Sequence, residues 1–158
     1  MSWSRRHLLL ALSAATGLAA CGFTPVYGPG GGGTALRDRI AVIAPDTTEG
    51  FRLQARIEDR LGRGTDLRLT VTLAIDEEGV ATSPTQQITR FQVNGAATYS
   101  LIDPATGGAL ASGTVETFTS FSSTGTPAAT LSAERDARDR LAVALADLVV
   151  TRLLATTP

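Results

Sequence analysis

Lysine is absent from these 158 residues, so all 14 basic side chains are arginine. Cysteine, histidine, tryptophan and methionine occur once each, and aromatic residues make up only 5% of the chain. A lone cysteine excludes an internal disulfide, so a domain of this size must hold together through its core. With so few aromatics, that core has to be built mainly from Leu, Val, Ile and Ala. No charge of one sign dominates: the formal net charge is −1, which argues against a nucleic-acid partner held by bulk electrostatics. The only long apolar run is Leu8 to Ala20, and nothing after it approaches the roughly 18 apolar residues of a membrane-spanning helix. What is present suffices for folding. Hydrophobic residues make up 43%, enough for one core and too many for a wholly disordered chain.

The first twenty residues read as an address. Arg5 and Arg6 form a positive start, Leu8 to Ala20 an apolar segment too short for a comfortable span, and the run ends Leu18-Ala19-Ala20-Cys21. Small residues before a cysteine at this place are similar to the bacterial lipobox, where cleavage precedes the Cys and the new terminus is acylated. Cys21 is therefore the expected lipidation site and membrane anchor, since each buried acyl methylene contributes about 0.8 kcal/mol. Gly22 follows it, in place of the Asp that resembles an inner-membrane retention signal; the expected location is the outer membrane, on its periplasmic face. Arg5-Arg6 also resembles a twin-arginine export signal, and Leu8 and Leu10 depart from the fuller form of that motif, so either export route stays open.

Removing residues 1–20 sharpens the absences. Met1, Trp3, Arg5, Arg6 and His7 go with them, leaving 12 arginines against 15 acidic residues and neither His nor Lys. Ser–His and Cys–His nucleophilic pairs cannot be assembled, and Lys Schiff-base and His/Cys zinc chemistry are excluded. Paired carboxylates are the one catalytic option left, and the acids are expected mostly in turns and on helix faces. The expectation is a protein that is not an enzyme and carries no cofactor.

Three regions follow: a signal peptide (1–20), a lipidated N-terminus and Gly-rich tether (21–35), and one domain (36–158). Gly30 to Gly33 read as flexible, and the stretch from Cys21 to Leu36 would reach about 20–23 Å on average. In the domain, Arg39 to Ile43 reads as a short strand. A helix from Thr47, Thr48 or Glu49 to near Gly62 carries its apolar stripe on Leu53, Ile57 and Leu61. Leu67 to Ile75 alternates as a half-buried strand, and Asp76-Glu77-Glu78-Gly79 should end it or bulge it. That acidic trio invites calcium, but a solvated turn is the commoner reading. A second alternating run, Phe91 to Leu101, meets a hairpin turn at Asp103 to Gly108. In the third run, Leu110 to Phe121, Phe118 breaks the parity of Val115 and Phe121, which suggests a bulge near Glu116. A long helix starts at Thr126-Pro127 or Thr130 and runs to about Ala155, with Ala137, Leu141, Leu145 and Leu148 as its main stripe.

The order strand, helix, three strands, helix predicts an α+β fold: a four-stranded mixed, mostly antiparallel sheet with two helices packed on one face. Val143, Val150 and Leu154 lie roughly opposite the stripe of the last helix. They either close the far end of the core or face a partner.

Cys-Gly-Phe-Thr-Pro-Val-Tyr-Gly (21–28) after a lipobox resembles the start of the lipopolysaccharide-assembly lipoprotein (LptE) family. So does the rest in order: a short strand ending Ala44-Pro45, a helix, a meander containing Tyr99-Ser100-Leu101-Ile102-Asp103, then Ala133-Glu134-Arg135-Asp136-Ala137 opening a C-terminal helix with Asp147 and Arg152-Leu153. The resemblance implies an outer-membrane lipoprotein that plugs the β-barrel LptD during lipopolysaccharide transport to the cell surface. The alternative is a lipoprotein accessory subunit of a phospholipid-trafficking ABC-type system. No motif carries the family's lipopolysaccharide-contacting basic residues onto particular positions. The candidates come from the residues themselves: Arg52, Arg56, Arg60 and Arg63 form one stripe on the first helix, with Glu49 near it and Asp59 away from it. Arginine forks onto phosphate or carboxylate, so the stripe is either a solvated face or a contact for lipopolysaccharide or barrel carboxylates. Like charges at that spacing repel, so neutralising Arg52, Arg56 and Arg63 should leave stability unchanged or slightly raised.

Overall fold

A computed structural model describes residues 32–82 and 87–156. Cys21, the signal peptide and the first part of the tether lie outside the described residues. The elements are α1 (Gly32–Leu36), β1 (Ile40–Ile43), α2 (Thr48–Leu61), β2 (Leu67–Thr82), β3 (Ile88–Ile102), β4 (Ala109–Ser122) and α3 (Pro127–Thr156). The sheet order is β1-β2-β3-β4, with β1 parallel to β2 and the other pairs antiparallel. This is the expected α+β architecture, with one addition. Residues 32–35, within the expected tether, already belong to α1, which buries Leu36 against the core and packs on α3.

Local chemistry sets the boundaries. Thr47 caps α2, its Oγ1 accepting from Gly50 N at 3.0 Å. Gly62 ends α2 with φ +76°, and the space a Cβ would need there is filled by Asp38. The β3–β4 turn closes with Gly107 N donating to Asp103 O at 2.8 Å and with Gly107 at φ +70°. The start of α3 is settled in favour of Thr126. Its Oγ1 accepts from Ala129 N at 3.3 Å, and Pro127, with no N–H to satisfy, takes the first helical position.

One strand expectation is met only in its bulge alternative, at Gly79, and another is corrected. β2 does not end at Asp76-Glu77-Glu78; it continues to Thr82, and the ladder becomes irregular only after Gly79. An extended strand turns alternate side chains to opposite faces, so Glu77 points to the helices while Asp76 and Glu78 point away. The three carboxylates cannot converge on an ion, and no metal-holding cluster occurs among the described residues. Nor does β4 bulge near Glu116: its pairing with β3 is regular from Ala111 to Ser122. Val115 and Phe121 face the helices, and Phe118 stands on the other face, 62% exposed.

The core lies between the sheet and α2 and α3. Leu69, Val71, Val93 and Leu101 meet Leu53, Ile57, Leu141 and Leu145, all essentially inaccessible to solvent. At Gly95 an added Cβ would lie 2.9 Å from Leu141 and 3.0 Å from Leu145, so the glycine lets α3 settle onto β3. The α3 stripe differs from the one expected. Leu148 is 38% exposed, whereas Val150 is fully buried and Leu154 packs half-buried on the core. The helix is covered from two sides, by β3 and β4 on one and by α2 and α1 on the other, so its apolar arc widens and rotates toward the C-terminus. The reading of Val150 and Leu154 as a partner-facing surface is therefore wrong.

Val150→Asp should abolish folding, because it buries an unpaired carboxylate. Leu148→Asp should shift unfolding stability by less than about 1 kcal/mol. Denaturant titration followed by circular dichroism checks both, and equal losses would contradict the assigned arc.

Candidate functional site

Among the described residues, no helix covers the second face of the sheet. Its cross-strand rows are read from the register: Thr72–Thr98–Thr114, then Ala74–Ala96–Glu116, then Asp76–Asn94–Phe118. The hydroxyls of Thr98 and Thr114 lie 3.0 Å apart, and Thr72 Oγ1 donates to Thr98 O at 3.5 Å. Next to this threonine row, the small side chains of Ala74 and Ala96 floor a shallow open depression of about 570 Å³. Asp76, Asn94, Glu116 and Phe118 stand around it. The face is thus polar, weakly acidic at one end, and carries one exposed aromatic ring. Sequence reasoning registered the polar alternation but not the depression. The available signal was the outward parity of two alanines directly opposite each other, with Phe118 on the same side.

The arginine stripe of α2 is turned toward α3. Arg52 donates to Asp139 at 3.2 Å; Arg56 forks onto Asp147 with bonds of 3.0 and 3.2 Å; Arg60 donates to the same carboxylate at 2.8 Å. Arg56 also reaches Asp59 at 3.3 Å, so Asp59 serves the stripe it was expected to miss. Arg63 pairs with Glu58, which Gln54 also contacts at 2.8 Å. Glu49 turns instead toward Arg138, whose guanidinium also binds Glu77 and Glu134 at 3.0 and 3.1 Å, tying the start of α2 and the middle of β2 to α3. The pairing explains itself in the numbering. Arg52 and Arg60 are eight residues apart, as are Asp139 and Asp147, and the two helices run parallel. The helices thus meet along a charged seam above their apolar contact. All four candidate arginines have carboxylate partners within the domain.

The electrostatics follow from this seam. The hydrogen bond to Asp147, and then that carboxylate's charge, raise the Arg56 pKa above its ordinary value. For Glu58, burial pushes the pKa up, but hydrogen bonds from Gln54 and Arg63 outweigh it and hold the carboxyl below the usual glutamate range. These pairs argue against the expectation that neutralising Arg52, Arg56 and Arg63 would be harmless to stability, because each substitution removes one donor from a carboxylate.

Asp147→Asn should lower unfolding stability by about 1–2 kcal/mol, since it removes a half-exposed carboxylate and leaves Arg56 and Arg60 facing each other. Equilibrium urea unfolding reads this. Because the Glu58 carboxyl titrates lower in the folded chain than its ordinary 4.5, its contribution is complete above that value and is lost as pH falls through the folded one. Melting temperature should therefore drop less steeply in Glu58→Gln than in the wild type between about pH 5.5 and pH 3.

Comparison with known proteins bears on both the fold and the family. No curated protein sequence matches. Among solved structures, one from Caulobacter crescentus CB15, described as a candidate lipoprotein, superposes with a TM-score of 0.62 at 21% identity, covering 78% of this chain and 93% of that one. The rare lipoprotein B from Shewanella oneidensis superposes at 0.57 with 10% identity over 75% of this chain and 93% of its own. A minor lipoprotein from Acinetobacter baumannii gives 0.56 at 12% identity over 75% and 91%. At these identities the likeness establishes the fold. The family rests on sequence: the family described as lipopolysaccharide-assembly, LptE, matches residues 37–153, from the entry into β1 to the last turn of α3. The chain belongs to the lipopolysaccharide-assembly LptE family.

Proposed function

We propose that this chain is an outer-membrane lipoprotein, acylated at Cys21 and facing the periplasm, whose domain plugs the β-barrel LptD and supports its assembly for lipopolysaccharide transport. The uncovered polar face of the sheet is the observation that carries the reading. A barrel lumen is polar, and a face of threonine, asparagine and small residues, with the carboxylates of Asp76, Glu78 and Glu116 toward one end, can lie against such a wall where the wall supplies donors to those carboxylates. Catalysis has no part in this role, in keeping with a body that offers neither His nor Lys. Arg52, Arg56 and Arg60 are assigned to holding α2 on α3, and Arg63 is paired with Glu58 of α2 itself, so the guanidinium groups of the stripe are already engaged. Direct contact with lipopolysaccharide or with barrel carboxylates then falls to other surfaces.

Extraction in mild detergent should recover a large outer-membrane barrel with this chain in a one-to-one complex. Recovery of an inner-membrane transporter in its place would favour the phospholipid-trafficking alternative and overturn the proposal. Mass spectrometry of the membrane-extracted protein should find the N-terminal peptide starting at Cys21 and carrying lipid; an unmodified thiol there would remove the anchor. Thr98→Arg and Phe118→Asp, both on the uncovered face, should weaken the barrel complex at least about tenfold while leaving the melting temperature of the isolated domain unchanged.

A further inference from the structure

The charge of the domain is unevenly placed along the strands. Four segments gather at one end. Asp38 N donates to Leu61 O at 2.7 Å, Leu67 N to Arg39 O at 2.9 Å, and Gly64 N to Ile40 O at 3.0 Å. Ile102, entering the β3–β4 turn, pairs with Arg68. The C-terminus of α3 is directed to the same end, because α3 runs parallel to α2; Arg152 lies five residues past Asp147, about 7.5 Å farther along the axis. This end carries Arg37, Arg39, Arg63, Arg68 and Arg152 against Asp38, Glu58, Asp66 and Asp103, five positive charges to four negative in a chain with more acidic than basic residues.

Three of its arginines, like Arg90 and Arg135 elsewhere on the domain, have no ion pair beyond an immediate chain neighbour among the described residues. Arg68 and Arg152 are exposed and have no carboxylate within ion-pair distance among the described residues, and Arg37 has only its neighbour Asp38, at 3.8 Å. The far end of the sheet is acidic, with Asp76 and Glu78 on the uncovered face and Glu116 beside them. Leu67 to Glu78 is eleven residues of strand, about 36 Å. At physiological ionic strength the screening length is about 8 Å, so the acidic end does not cancel attraction at the basic one.

The first described residue, Gly32, opens the helix that leads directly into this basic end, and Cys21 lies eleven residues before it. Even fully extended, that stretch spans no more than about 40 Å. We infer that the basic end is a membrane-facing surface that binds anionic phospholipid headgroups at the periplasmic face of the bilayer. The inference rests on the reading that Cys21 is the anchor, because the anchor makes this end the one near the bilayer. The recognition chemistry is arginine on headgroup phosphate, and it acts through a rim of three or so side chains, not a pocket.

The test uses the chain from residue 21 onward with Cys21→Ser, so that no lipid contributes. Co-sedimentation compares vesicles of one part phosphatidylglycerol to two parts phosphatidylcholine with vesicles of phosphatidylcholine alone, at low and at high salt. The expected result is partition onto the anionic vesicles at low salt, lost at high salt and absent on the neutral ones. The combined Arg37→Gln, Arg68→Gln and Arg152→Gln variant should lower that partition at least about tenfold. The combined Arg90→Gln and Arg135→Gln variant, which removes two exposed arginines placed elsewhere, should stay within about twofold. Hydrogen exchange of the chain without the arginine substitutions, on the anionic vesicles, should slow at residues 37–39 and 65–68 and not at residues 116–120. Equal losses in the two variants, equal binding to neutral vesicles, or no partition at all would overturn the inference. The acylation reading fails separately, through the mass of the N-terminal peptide of the native protein, and vesicle binding by the unacylated chain does not depend on that result.

Discussion

With a single cysteine in the chain and so no internal disulfide, this fold depends on α3 lying along β3 and β4. The helix contributes eight buried residues, among them Leu141, Leu145 and Leu153, and Gly95 allows the close approach at the middle of β3. Fully burying one such leucine contributes about 1.5–3 kcal/mol. Aromatic residues are scarce and sit where shape matters most. Phe91 and Phe121 stack at 5.2 Å between centroids toward one end of the β3–β4 pair, and Tyr99 lies over Gly113, its cross-strand partner. If α3 left the sheet, β3 and β4 would expose their apolar face, α2 would lose its charged seam, and α1 would lose its support.

The seam between α2 and α3 shows how charge is used here. An arginine-only basic set suits side-on pairing of parallel helices, because each guanidinium can fork onto a carboxylate from an exposed flank. Such half-exposed pairs add modest stability individually. Shared acceptors make them act together, and Asp147, serving Arg56 and Arg60, also sets how far one helix can slide along the other. Charge spent on this seam is withdrawn from external recognition, and the arginines that remain exposed and unpaired lie elsewhere on the domain.

Much of this was legible in the residues. The α2 stripe, the alternating strands, the β3–β4 turn and the α+β arrangement follow from local periodicity and turn chemistry, which neighbours cannot easily override. The misreadings share one origin. Phe118 suggested a bulge and Leu148 a core position, and Val150 was left open between core and partner, because a single-faced pattern was assumed for elements with different surroundings on each side. Asp76-Glu77-Glu78 resembled a turn because composition was weighed without the partner strand that continues past it. The arginine stripe was visible in full, but the acceptors of Arg52 and Arg60 and the forked acceptor of Arg56 lie about 90 residues away on another helix.

Sequence alone determined that no internal disulfide holds the domain, that no Lys-based chemistry is available, and that no apolar run after residue 20 is long enough for a membrane-spanning helix. It also determined the family resemblance and the order of elements, because these depend on residue types and near-neighbour spacing. Tertiary structure decided which charges are satisfied and which remain for a partner, which side of α3 is covered, and that one sheet face stays open. Those outcomes depend on contacts between residues far apart in the chain, where distance and burial, and no property of a single segment, set the energy.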